Sequence, residues 1–141
     1  EEASTLEQKF VWVDRAGQED SIAFLTRPEV AEQIGGIFGP RLSPDGSRMV
    51  FWTAEPTAQE TNAGFSGAVW IADLARETLV PMSRDSMENF WSTWTPNGEQ
   101  VVSTGGGMSE DLSVALYSRR LDRVGPAVQV THPGPSPWHQ A

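Results

Sequence analysis

The chain contains no cysteine. That absence excludes a disulfide, a thiolate nucleophile and any zinc site built on Cys ligands. It is compatible with an oxidising compartment. Histidine is almost as scarce, with His132 and His139 the only two in 141 residues. Both lie in a Pro-rich tail with no further ligands arranged beside them, so they read as loop histidines, and no metal or other cofactor is expected. Basic residues are few, ten Lys and Arg against nineteen Asp and Glu, for a formal charge of −9. They are also scattered, the densest group being Arg119, Arg120 and Arg123. Sustained binding to a phosphate backbone needs clustered cations that release counterions, so nucleic acid is not expected as a partner. No apolar run approaches the ~20 residues of a membrane-spanning helix, and no membrane insertion is expected. Glu1-Glu2-Ala3-Ser4 lacks the basic n-region and apolar core of a signal peptide.

Helical periodicity is scarce too. The best window, Arg27 to Ile34, contains Pro28 and runs into Gly35-Gly36, which allows one or two turns inside a loop. Short β-branched and aromatic segments dominate instead. They are Phe10-Val11-Trp12-Val13, Met49-Val50-Phe51-Trp52, Val69-Trp70-Ile71, Gln100-Val101-Val102, Val114-Ala115-Leu116-Tyr117 and Ala127-Val128-Gln129-Val130. Each is bounded by Gly, Pro, Asn, Asp or Ser, the punctuation of strands in an all-β domain. In the second segment Met49 and Phe51 point one way while Val50 and Trp52 point the other. A strand apolar on both sides needs cover on both sides, so sheets must stack face to face.

The strands repeat. Leu42-Ser43-Pro44-Asp45-Gly46 followed by Met49-Val50-Phe51 matches Trp94-Thr95-Pro96-Asn97-Gly98 followed by Val101-Val102-Ser103, 52 residues further on. In each tetrapeptide Ser or Thr can bond back to the turn, Pro presets φ, and Gly relieves the last position. Such a turn closes a hairpin with a bulge. Ser43, Pro44, Asp45, Gly46, Thr95, Pro96, Asn97 and Gly98 are therefore expected to be structural. A second register, Trp12-Val13-Asp14, Trp70-Ile71-Ala72-Asp73 and Tyr117-Ser118, leads each time into a polar turn and another short strand. Those strands are expected near Ile22-Ala23-Phe24, Leu79-Val80 and Val128-Gln129-Val130. The unit is four strands over roughly 45–55 residues, a propeller-blade period.

These residues resemble the WD40-like PD40 repeat. That repeat is found in TolB-like periplasmic propellers, in tricorn-type and prolyl-oligopeptidase-type peptidases, and in the C-terminal regions of some bacterial Ser/Thr kinases. The resemblance spans roughly residues 8–138. Asn97 departs from the usual Asp, which favours a structural acceptor over catalytic equipment at that position. The resemblance implies an all-β chain of four-stranded antiparallel blades of a TolB-like propeller. On this reading 8–26 supply strands c and d of a preceding blade, 39–83 and 90–131 are two full blades, and 134–141 begin a fourth unit. That is roughly eleven strands, fewer than three blades, where propellers close with about four to eight. The open arc predicts a homo-oligomer: two copies closing a six-bladed ring, the C-terminal strand of one completing the Phe10–Phe24 sheet of the other. The implied function is a non-catalytic binding module that presents loops and a channel mouth to a protein partner or small ligand. The implied location is periplasmic or otherwise extracytoplasmic. The alternative is the accessory propeller of a peptidase, a kinase or a metal-dependent lyase.

Motifs for catalysis are weak. Gly64-Phe65-Ser66-Gly67-Ala68 nearly forms a nucleophile elbow, but Ala68 replaces the final Gly and a strand follows where a helix is required. Gly105-Gly106-Gly107 lacks the Gly-Lys-Ser/Thr of a phosphate loop. The acidic pairs Glu19-Asp20 and Glu110-Asp111, with Asp85 and Glu88, read as solvated charge. No catalytic residue is expected. Trp52, Trp70 and Trp94 are expected in the core. Phe90, Trp91 and Trp138 lie where inner strands begin, near one mouth of the channel, and are the candidate ligand-binding residues.

Overall fold

Ten strands, one short 3-10 turn and one short helix make up the described part of the chain in a computed structural model. The described residues are 10–34, 36–54, 67–82, 89–105, 115–122 and 127–131. Two four-stranded antiparallel sheets form the bulk. The first is β3 (Gly36–Leu42), β4 (Arg48–Ala54), β5 (Gly67–Asp73) and β6 (Thr78–Pro81), in that order. The second is β7 (Asn89–Trp94), β8 (Gln100–Gly105), β9 (Ala115–Arg120) and β10 (Val128–Gln129), again paired in chain order. A two-stranded hairpin, β1 (Val11–Val13) with β2 (Glu19–Ser21), precedes them. The sheets are up-and-down meanders, each strand joined to its neighbour, which is the construction of a propeller blade. Residues 134–141 lie outside the described residues.

The two-sided strand explains how the sheets stack. Val50 and Trp52 of β4 bury against Val69 of β5 and against Trp94 and Val101 of the second sheet. Met49 and Phe51, on the opposite side, bury with Trp70, Ala72, Phe24, Leu25 and Ile34. Phe51 and Val50 are both fully buried, so one strand anchors two separate cores. The second sheet packs through β7 onto β3, β4 and β5. The indole Nε1 of Trp94 crosses this interface and donates to the carbonyl of Arg41 at 2.9 Å. An apolar ring and a directed hydrogen bond thus fix how one sheet lies on the next.

The other side of the first sheet is covered differently. Ile22-Ala23-Phe24, expected as a strand, leaves β2 and coils into a 3-10 turn, Ala23–Thr26, with α1 (Pro28–Ile34) behind it. Phe24 and Leu25 are adjacent and both buried. Strand alternation would put one of them outward, whereas a helical turn turns both inward. Pro28 occupies the first helical position, where its missing N–H is no loss. Ile34 at the far end of α1 is 2% exposed and seals the same core. Phe10 adds a tilted ring contact to Phe51 at 5.5 Å. An ion pair from Arg27 to Glu77 ties this covering segment to the β5–β6 turn.

Candidate functional site

The two repeated turns share a core set of hydrogen bonds, 52 residues apart. In the first, Ser43 Oγ donates to Asp45 Oδ1 at 2.6 Å and accepts from the Arg48 N–H at 3.0 Å. The Ser47 N–H and Oγ also reach the Asp45 carboxylate, at 3.0 and 2.8 Å. In the second, Thr95 Oγ1 donates to Asn97 Oδ1 at 2.7 Å and accepts from the Gln100 N–H at 3.1 Å. The Glu99 N–H completes it, donating to Asn97 Oδ1 at 3.2 Å. The backbone repeats as closely: the N–H of Gly46 meets the carbonyl of Ser43, and that of Gly98 the carbonyl of Thr95, both at 2.9 Å. Gly46 and Gly98 sit at φ 71° and 70°, a region open to Gly at no steric cost. The Ser43 hydroxyl, followed by the Ser47 N–H and hydroxyl, draws the Asp45 carboxyl down to about 2 from an ordinary 3.8. Both Asp45 carboxylate oxygens and the Asn97 amide oxygen accept hydrogen bonds within the turn itself.

A second repetition lies in the inner strands. β3 carries a bulge between Phe38 and Arg41 where it pairs with β4, and β7 carries one between Phe90 and Ser92 where it pairs with β8. The positive-φ residue in the first bulge is Gly39, at 56°. The position 52 residues on is Trp91, at φ 44°. A Cβ at Gly39 would meet the Trp52 indole at 3.6 Å, and Phe38 stacks on that ring at 4.6 Å, so the first bulge is filled by its own aromatics. In the second the aromatic stands in the bulge itself. Trp91 is 68% exposed, the most exposed large apolar side chain among the described residues. A left-handed conformation costs a non-glycine residue roughly 1–2 kcal/mol. A bulge also re-aims the side chain it carries. β7 therefore holds an indole in solvent at a position where its sister strand uses Gly.

Of the other candidates, Phe90 lies in β7 with its backbone opposite Thr104. Trp138, Ser66, Asp85, Glu88, Glu110, Asp111, His132 and His139 lie outside the described residues. Glu19 and Asp20 are exposed on β2. Trp52, Trp70 and Trp94 are each 9% exposed, members of the cores. Among the described residues no group of three or more His, Asp or Glu is placed to hold a metal ion. No described helix is long and apolar enough to cross a membrane. Composition could not have revealed the Trp91 geometry; laying one copy of the repeat on the other does, because Gly39 falls on Trp91.

Stacked four-stranded meanders with repeated turns between β3 and β4 and between β7 and β8 define a β-propeller segment. Among solved structures the chain is similar to a TolB-assigned protein from Agrobacterium tumefaciens, with a TM-score of 0.57 and 20% sequence identity. The likeness covers 81% of this chain and 37% of that one, so the chain spans little more than a third of its length. The fold is TolB-like. No family model matches the chain. No curated protein matches it either.

Proposed function

We propose that the chain is a non-catalytic binding module, a TolB-like propeller segment that presents an inner-strand surface to a protein partner outside the cytoplasm. The observation that carries this reading is Trp91. An exposed indole held in a strained bulge contributes nothing to either core, and large aromatics are the residues that anchor interfaces. The Asp45 and Asn97 turns belong to the scaffold: their oxygens are spent on the loop that closes each hairpin. A second copy of the chain is one partner included in this reading, since the second sheet leaves Leu116, Val128 and Val130 exposed at 38%, 67% and 58%.

A photoreactive phenylalanine analogue at position 91 tests the proposal in the native cell, with exposed Val13 as the control position. A discrete adduct formed from 91 and not from 13 is expected. Trp91→Gly should then weaken that partner by ~2 kcal/mol, about thirtyfold in Kd. The same substitution relieves the positive φ, so the variant should melt no lower than the parent. Identical adducts from both positions, or unchanged affinity in Trp91→Gly, would sink the reading.

A further inference from the structure

A concave surface lies at the end of the sheets that carries the tight turns. It is a groove of about 430 Å³ between the outer strands of the first sheet and the end of β9 in the second. Four arginines line it, Arg48, Arg76, Arg119 and Arg120, in a chain with only ten basic residues and a net charge of −9. The fold gathers them from three distant stretches of sequence. Arg48 opens β4 directly after the first turn, in register with Asp73 at the end of β5. Arg76 follows in the next turn and meets Asp73 at 3.6 Å. Arg119 and Arg120 close β9 beside the second turn, in register with Val101 and Gln100.

The carboxylates nearby offset part of this charge: Asp73 pairs with Arg76, and Asp122 and Glu99 act on Arg120. Among the described residues Asp73 is the one acidic residue lining the groove. Asp122 grips Arg120 through two bonds of 2.8 Å, which fixes the plane of that guanidinium. Among the described residues the Arg48 guanidinium has no ion-pair partner. The floor is apolar, formed by Ile71, Val80 and Leu121, and Val80 is 57% exposed.

Arginine forks match carboxylate geometry. A bare inorganic anion would leave the apolar floor in water, whereas an acidic segment with interleaved aliphatic side chains covers floor and rim together. We infer that this groove is a docking site for a short acidic–apolar peptide segment of a partner protein. It lies apart from Trp91 and does not depend on it, so either site can fail alone.

The test is calorimetric titration of the full chain with the capped peptide Glu-Leu-Asp-Val-Glu. Binding is expected, falling with added salt as exposed charge pairs are screened. Arg48→Gln with Arg119→Gln should weaken it by about tenfold or more, with an unchanged circular dichroism spectrum. Val80→Asp, on an exposed floor position, should weaken it by repulsion even if the arginine variant folds poorly. Trp91→Gly should leave it unchanged. Equal binding of Lys-Leu-Lys-Val-Lys, or of Glu-Ser-Asp-Ser-Glu, would overturn the assignment, as would no binding by the parent chain.

Discussion

Asp45 and Asn97 occupy equivalent positions in equivalent turns, yet only one of them titrates. The Asp45 carboxyl is held near 2 by the Ser43 hydroxyl and the Ser47 amide and hydroxyl, below the 3.8 it has when free. Its pKa in the folded chain is thus depressed. The contribution is complete above the free value and is lost as pH falls from about 3.8 toward about 2. Asp45→Asn copies the second turn and removes that dependence. Melting curves recorded from pH 5 to pH 2 should fall less steeply for the variant than for the parent, roughly in the window where this carboxyl protonates. Parallel slopes would show that Asp45 contributes nothing to acid stability. Trp91 is the opposite case at this scale. Trp91→Gly should fold as well as the parent, since Gly39 holds a comparably positive φ in the sister strand.

The elements were legible in the sequence to different degrees. Met49 to Trp52 announced a strand with two buried faces, and the structure places a separate core on each. The window from Arg27 to Ile34 announced a helix of a turn or two, and α1 spans Pro28–Ile34. Ile22-Ala23-Phe24 misled because β-propensity is decided by packing, and two adjacent inward residues demand a turn. The bulge at Trp91 was invisible in isolation, since nothing in a Trp signals positive φ. The arginine groove was hidden for a topological reason: Arg48 and Arg119 become neighbours only once both sheets have formed and stacked. That stacking rests on Trp94. Trp94→Phe keeps most of the ring in the core but leaves the Arg41 carbonyl without its indole donor, which should cost about 1–2 kcal/mol. Urea unfolding followed by circular dichroism would read this as an earlier midpoint with an unchanged slope. An unmoved midpoint would mean that packing alone holds the sheets together.

At the scale of the whole molecule the two outer faces differ. The side of the first sheet that bears Met49 and Phe51 is closed by Phe24, Leu25 and Ile34, whereas the far side of the second exposes Leu116, Val128 and Val130. If a second copy covers that face, light scattering at micromolar concentration should give twice the monomer mass. Val128→Lys should return it to one. A stable monomer in the parent chain at the same concentration would rule the pairing out. The short helix then acquires a meaning beyond covering a core. It gives the two outer faces of the described sheets different characters, one covered and one exposed, much as a terminal repeat covers one face of a solenoid. Pairing through this exposed face alone would follow a two-fold axis, each copy offering the same patch, and would stop at two. Head-to-tail addition, which could run on into fibres, would first have to displace Ile34.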